Sequence, residues 1–224
     1  MSSKSILVLG SLHYDIFLES ENLPRTGETL IGKKWYPKLG GKGGNQAIAA
    51  SSFPTPTKLI SAVGDDDFAT YILKNLKRTN VDTTFVQIVK NSKSGMSVAI
   101  SNTTGDYGAI IVSGANNFID PKIFDNSAVW KNTEILMIQN EIQEETNLLA
   151  AKKAKKQGLT IVYNAAPAKK INPDFYNLVD ILIVNTIEAE DIIKKNITNL
   201  SDILEASKLL TDNFPMVIIS SGEL

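Results

Sequence analysis

Six short runs of apolar residues punctuate the chain, at positions 6–9, 59–63, 135–138, 159–163, 181–184 and 216–219. They are continuous rather than alternating and rich in isoleucine and valine, the pattern of strands buried on both faces of a parallel sheet. Helical patterns lie between several of them. Residues 45–52 are small and alanine-rich, and residues 67–79 place Phe68, Ile72 and Leu76 on one stripe. Residues 144–157 carry acids in the first turn and lysines in the last, as the helix dipole favours, and Gly158 is suited to end the helix. Ser201 can cap a last helix bearing Leu204 and Leu209. Strand and helix alternate, which predicts an α/β class.

Residues 15–36 and 84–112 break that rhythm. They hold alternating or β-branched segments, among them Phe85-Val86-Gln87-Ile88-Val89 and Ser97-Val98-Ala99-Ile100. Turn signals separate these segments: Pro24-Arg25-Thr26-Gly27, Asn91-Ser92-Lys93-Ser94-Gly95 and Thr104-Gly105-Asp106. The pattern predicts extra strands outside the main sheet, forming a small antiparallel flap. At 224 residues, one large domain or a domain with a small appendage is expected.

Composition narrows the chemistry. With 23 basic and 24 acidic residues the formal charge is −1, which argues against a protein built to neutralise nucleic-acid phosphates. There is no cysteine, so disulfides, thiolate metal sites and cysteine nucleophiles are excluded. His13 is the single histidine, so no two-histidine metal site can form. Only Arg25 and Arg78 are arginine, and an anion would have to be held by backbone amides, lysine or a metal ion. No apolar run approaches 18 residues, and the first is too short for a signal peptide, so a cytoplasmic protein without a membrane partner is expected.

In an open parallel sheet, ligands bind beyond the carboxyl ends of the strands. The residues just past the apolar runs are polar again and again: Gly10-Ser11-Leu12-His13-Tyr14-Asp15, Gln139-Asn140-Glu141, Asn164-Ala165-Ala166-Pro167, Asn185-Thr186-Ile187-Glu188 and Ser220-Ser221-Gly222. Any one of these is also an ordinary turn or cap; the recurrence at one end of most strands favours a site. The densest signal is Leu39-Gly40-Gly41-Lys42-Gly43-Gly44-Asn45-Gln46-Ala47. Its glycines let backbone approach a ligand and lead into a helix whose first N–H groups are expected to be free donors. It matches neither a Walker A loop nor Gly-x-Gly-x-x-Gly. Lys42 and Asn45 add a cation and an amide suited to sugar hydroxyls or phosphate.

These motifs, in this order, resemble the ribokinase-like carbohydrate kinases over essentially the whole chain. Gly10-Ser11 with Asp15, Pro24-Arg25-Thr26-Gly27-Glu28-Thr29, the glycine-rich run, Gly64-Asp65-Asp66, Gly114-Ala115-Asn116, Glu141, Asn164-Ala165-Ala166-Pro167-Ala168 and Asn185-Thr186-Ile187-Glu188-Ala189-Glu190 carry the resemblance. It implies a three-layer α/β sandwich with a central, mostly parallel sheet and a small β-sheet lid, drawn from about residues 15–36 and 84–112. It also implies phosphoryl transfer from ATP to a primary hydroxyl of a small sugar, ribose or a related pentose or hexose. Asp15, Gly41, Lys42, Asn45 and Glu141 would hold the sugar, and Asn185 and Glu188 would fall at the phosphate and Mg2+ site. Ser220 and Gly222 would begin the nucleotide site, and a monovalent cation is a further candidate. A homodimer through the lid is expected, with Ile31, Trp35, Val98 and Ile100 at its surface.

Two departures stand out. His13, counted with these sugar-binding residues, occupies a position where the family carries an asparagine among its sugar ligands; it can still hydrogen-bond a hydroxyl, but size and charge shift there and the sugar need not be ribose. The family's Gly-Ala-Gly-Asp element, with its aspartate base, has no counterpart in residues 1–224. The base is therefore expected beyond Leu224 and the chain is read as a truncated kinase, inactive alone; the alternative is a sugar-binding protein without turnover. A nucleoside substrate is disfavoured by the Gly-Lys-Gly-Gly-Asn-Gln run.

Overall fold

The structure is a computed structural model that describes residues 4–103 and 107–222. The predicted turn at Thr104-Gly105-Asp106 and the final Glu223-Leu224 lie outside the described residues. In chain order the elements are β1 (Ser5–Leu9), β2 (His13–Glu19), β3 (Lys34–Gly40), α1 (Lys42–Ser51), β4 (Thr57–Val63), α2 (Asp67–Leu76), β5 (Val81–Asp82), β6 (Val86–Ile88), β7 (Gly95–Ser101) and β8 (Tyr107–Val112). The second half of the chain adds α3 (Ser127–Trp130), β9 (Thr133–Gln139), α4 (Glu144–Lys156), β10 (Thr160–Asn164), β11 (Ile181–Asn185), α5 (Thr186–Ile193), α6 (Leu200–Thr211) and β12 (Met216–Ser220).

The main sheet runs β12-β11-β10-β9-β1-β4-β5, with β6 also on β4, and every described pairing in it is parallel. Alternation along its strands divides the core. Leu7, Leu9, Ile60, Leu136, Ile138, Ile161 and Leu182 face one side with Ala150, Ala151 and Ala154 of α4. Val8, Leu59 and Val63 face the other, against Ala47 of α1 and Ile72 and Leu76 of α2. Helices on both faces explain why these strands read as continuous apolar runs. At the edge, β12 is half exposed, with Met216 at 52% and Ile218 at 46%.

A second sheet, β3-β2-β7-β8, stands beside the main one. It is mixed: β2 pairs antiparallel with β3 and parallel with β7, and β7 pairs antiparallel with β8. The run 85–89 does not belong to it, contrary to expectation. After α2 the chain returns along β4 in two short pieces, and β6 pairs parallel with Ser61–Val63. The reason is burial: Phe85 is 7% exposed and packs in the main core, where a flap could not cover it.

Tyr14 docks the small sheet on the body. Its ring stacks on Phe68 of α2 at 4.1 Å and meets Tyr71 edge-on at 4.8 Å. Asp66 caps α2, accepting from Ala69 N, and also takes Ser94 Oγ and Ser94 N at the root of β7. Burial would raise its carboxyl, but these hydrogen bonds prevail and hold it below the usual carboxylate range. The last helix is capped by Asn199, not Ser201: the Asn199 side chain accepts from Asp202 N. Among the described residues no helix is long and apolar enough to cross a membrane.

If Tyr14 carries the docking, Tyr14→Ala should lower stability by about 2–4 kcal/mol. Amide exchange should accelerate in β2 and β7 while β9–β11 stay protected. Uniform acceleration across both sheets would show that the ring stack is not the joint.

Candidate functional site

The chain crosses from β1 toward β4 on the α1 face and from β9 toward β10 on the α4 face, so β1 and β9 are neighbours whose outgoing segments diverge. The carboxyl ends of such a pair leave a crevice where ligands bind. Ser11, Glu141 and the start of α1 meet there. Shape alone does not mark the place, because hollows lined by Phe124, Trp130 and Lys153, and by Leu18, Leu30 and Ile100, lie elsewhere.

Glu141 is the centre of the arrangement and is 8% exposed. Its Oε2 accepts from Ser11 Oγ at 2.6 Å and from Lys42 N at 2.8 Å, while Oε1 lies 3.8 Å from Lys42 Nζ. Gly43 N donates to Ser11 Oγ at 3.4 Å, and Gly44 N to Ser11 O at 2.9 Å. The first N–H groups of α1, expected to be open to a ligand, are therefore already capped from β1 and β9. A carboxylate is well placed at the positive end of a helix, and this one closes the cap across 99 residues of sequence.

Glycine permits the approach. Gly41 has φ 87°, and a Cβ there would meet Ser11 O at 2.7 Å and His13 N at 2.9 Å. A Cβ on Gly43 would meet the Gly10 carbonyl carbon at 2.5 Å. Larger residues would push α1 off β1.

His13 and Asp15 alternate onto one face of β2, opposite Gly40 and Lys38 of β3. Asp15 is half-buried, and its Oδ1 accepts from Ser97 Oγ at 2.6 Å. His13 is 2% exposed, with Nδ1 4.0 Å from Glu141 Oε2. Burial pulls its pKa below the ordinary imidazole value; Glu141 and Asp15 oppose this and Lys42 adds to it. Asn45 is exposed in the first turn of α1. Asp15, His13, Lys42, Asn45 and Glu141 are thus brought to one region.

Asn185, Glu188, Ser220 and Gly222 lie along the sheet at β11 and β12. Asn185 and Glu188 cap α5 reciprocally: Asn185 N donates to Glu188 Oε2 and Glu188 N to Asn185 Oδ1, each at 2.8 Å. Ser220 ends β12 opposite Asn185, and Gly222 comes two residues later with φ 57°. Among the described residues no group of three or more histidine or acidic side chains is arranged around a metal position. With one carboxylate oxygen committed to the cap, Glu188 fits a role on a hydrated magnesium ion better than direct enclosure.

Sequence reasoning missed the supports. Asn116, 1% exposed, clamps the β1–β2 connection: Leu12 N donates to its Oδ1, and its Nδ2 donates to Leu12 O and Ser113 O. Asn140 is held by Tyr163 OH, by its own Nδ2 to Pro167 O and by its N to Ala166 O, which fixes the loop carrying Glu141. Burial pushes the Tyr163 hydroxyl up to about 12, so it stays a donor. Both stand inside motifs singled out from the sequence, Gly114-Ala115-Asn116 and Gln139-Asn140-Glu141, but neither was given a role there.

Fold and site together define a doubly wound α/β protein with a polar crevice at a switch point beside a small mixed sheet. Residues 3–224 match the family described as pfkB family carbohydrate kinase. The chain is 30% identical over 221 residues to a deoxyribokinase of Salmonella typhi, covering 97% of this chain and 72% of that protein. It is 36% identical over 191 residues to a ribokinase of Dictyostelium discoideum, covering 82% and 59%. The structure of Arabidopsis thaliana ribokinase complexed with ribose and ATP superposes with a TM-score of 0.86 at 26% identity, covering 98% of this chain and 72% of that one. The chain belongs to the pfkB family of carbohydrate kinases.

Removing the cap should be costly and removing the nearby cation should not. Glu141→Ala should destabilise by about 3–5 kcal/mol, since it leaves two donors, Ser11 Oγ and Lys42 N, without their acceptor. Lys42→Met should cost less than about 1 kcal/mol, because that side chain is 36% exposed. Equal losses on thermal or denaturant unfolding would contradict the assignment of the backbone cap as the dominant contact.

Proposed function

We infer that this chain carries the sugar site of an ATP-dependent kinase acting on ribose, 2-deoxyribose or a related small sugar at a primary hydroxyl. The observation that carries the reading is the charge balance beneath the small sheet. Two carboxylates, Asp15 and Glu141, face one ammonium, Lys42, around a buried His13. Such a site repels an anion and suits a neutral polyol, whose hydroxyls donate to carboxylates. The names of the relatives support the same substrate class.

Asp15 and Asn45 would orient the hydroxyls, with Gly41 and Gly43 leaving room for the ring. ATP would lie toward Ser220 and Gly222, and its Mg2+, which offsets phosphate charge, would be met by Glu188 through water. Asn185 would share the phosphate region. ATP as co-substrate points to a cytoplasmic setting. No residue of 1–224 stands in a Gly-x-Gly-Asp element, so proton abstraction is assigned to none of them. No described residue is assigned to a monovalent cation. The outer face of the small sheet, with Trp35 at 62% exposure beside Val98 and Ile100, would pair with a second copy, joined by Ile31, 97% exposed in the segment before β3.

Calorimetric titration should show saturable ribose or 2-deoxyribose binding by the chain. Asp15→Ala and Asn45→Ala should each weaken it at least about tenfold while leaving ATP binding unchanged. Turnover by residues 1–224 alone should be undetectable, as a positioned base typically supplies about 10²–10⁴. Unchanged sugar affinity in both variants would remove the assigned site, and brisk phosphorylation would refute the missing-base argument. In light scattering the chain should dimerise with concentration, and Trp35→Glu should hold it monomeric; a wild type that stays monomeric would remove the dimer.

A further inference from the structure

Between Glu141 and the residues at the ends of β11 and β12 stands a cation that has no role so far, Lys169. β10 is the strand between β9 and β11, and Asn164 at its end pairs with Gln139 on one side and Ile183 on the other. One strand spacing, about 5 Å, separates β10 from each neighbour. The chain that leaves β10 therefore emerges between the loop carrying Glu141 and the turn that begins at Asn185.

That segment is wrapped on Asn140. Asn140 N donates to Ala166 O at 2.9 Å and its Nδ2 to Pro167 O at 3.0 Å, while Lys169 Nζ donates to Asn140 O at 2.9 Å. The ammonium is thus drawn back over the residue next to Glu141, although Lys169 is exposed. An ammonium has three N–H donors, and Asn140 O, a neutral acceptor, engages one of them. Other cations are committed or lie elsewhere. Lys42 Nζ is 3.8 Å from Glu141 Oε1. Arg25 pairs with Glu28 in the segment between β2 and β3, and Arg78 follows α2.

Charge decides what such a group can hold. Asp15 and Glu141 against Lys42 leave the sugar end of the crevice unfavourable to anions. The phosphorylated form of the same sugar nonetheless carries about −1.5 to −2 at pH 7 on its phosphate. We propose that Lys169 forms an anion subsite for the phosphate of a phosphorylated small sugar, its ammonium donating to the phosphate oxygens while Asp15 and Asn45 hold the hydroxyls. The inference rests on the sugar-site reading above. Repulsion by the two carboxylates turns the phosphate along the sheet toward β10 and β11, where Lys169 meets it. A charge-assisted bond to phosphate is stronger than one to a neutral carbonyl, and a flexible lysine stem can make it without a fixed fork. A neutral sugar has no group for this ammonium, so Lys169 distinguishes the phosphorylated ligand from the free one.

Calorimetric titration of the 224-residue chain with ribose and with ribose 5-phosphate separates this role from a structural one. Lys169→Met keeps an aliphatic stem and removes the charge. It should weaken ribose 5-phosphate at least about fivefold and leave ribose within about twofold. Lys169→Arg should recover most of the loss, and Lys170→Met, one residue along and also exposed, should change neither ligand. Unchanged ribose 5-phosphate affinity in Lys169→Met, or no ribose 5-phosphate binding by a chain that binds ribose, would overturn the subsite. An equal loss of both ligands would overturn it too, since it marks a lysine that only steadies Asn140. So would an equal effect from Lys170→Met, the mark of a diffuse field. In each of these cases ribose binding that depends on Asp15 leaves the sugar site standing. If ribose itself does not bind to saturation, the sugar-site reading fails, and the subsite with it.

Discussion

One buried carboxylate organises the crevice. The N-terminus of α1 presents N–H groups that its own helix cannot satisfy, and they lie where β1 and β9 part. Glu141 arrives from β9, accepts from Lys42 N and Ser11 Oγ, and draws Ser11 into accepting from the next two N–H groups. The contact requires backbone almost against backbone, which accounts for Gly41 and Gly43 and the absence of any side chain there. It also requires a rigid loop beneath Glu141, which the ring of bonds around Asn140 supplies. The cap therefore ties the segments that leave β1 and β9 to the start of α1, and with it sets the position of Lys42.

The architecture was largely legible in the sequence, for a specific reason. Strands covered on both faces leave unbroken apolar runs, and five of the six runs lie within strands from end to end. The exception is 159–163, where the strand starts at Thr160 and Leu159 packs in the core just before it. The segment 85–89 departs from expectation because a short β-branched run reads alike in a flap and at the rim of a core; only the burial of Phe85 distinguishes them. Ser201 and Asn199 are both competent caps, and the choice depends on where α6 begins.

The sequence named residues that the fold brings close together, but it did not show their arrangement. His13, Asp15, Lys42, Asn45 and Glu141 stand out from the ends of strands and from the resemblance, and they do converge. What local pattern could not show is that Glu141 already satisfies the helix N-terminus that the glycine-rich run, read alone, offers to a ligand. That contact spans 99 residues, and no periodicity in either segment encodes it. The same holds for Asn116, whose clamp on Leu12 joins positions 104 residues apart.

The protonation state of His13 and the seating of the small sheet are consequences of one geometry. His13 is the first residue of β2, and Tyr14, pointing to the opposite face, is the residue that docks the sheet on α2. The burial that lowers the pKa of the imidazole and the stack of Tyr14 on Phe68 thus belong to adjacent residues at the root of the small sheet. A sheet that lifts would admit water to the ring and leave the Glu141 and Asp15 carboxylates free to draw a proton onto it.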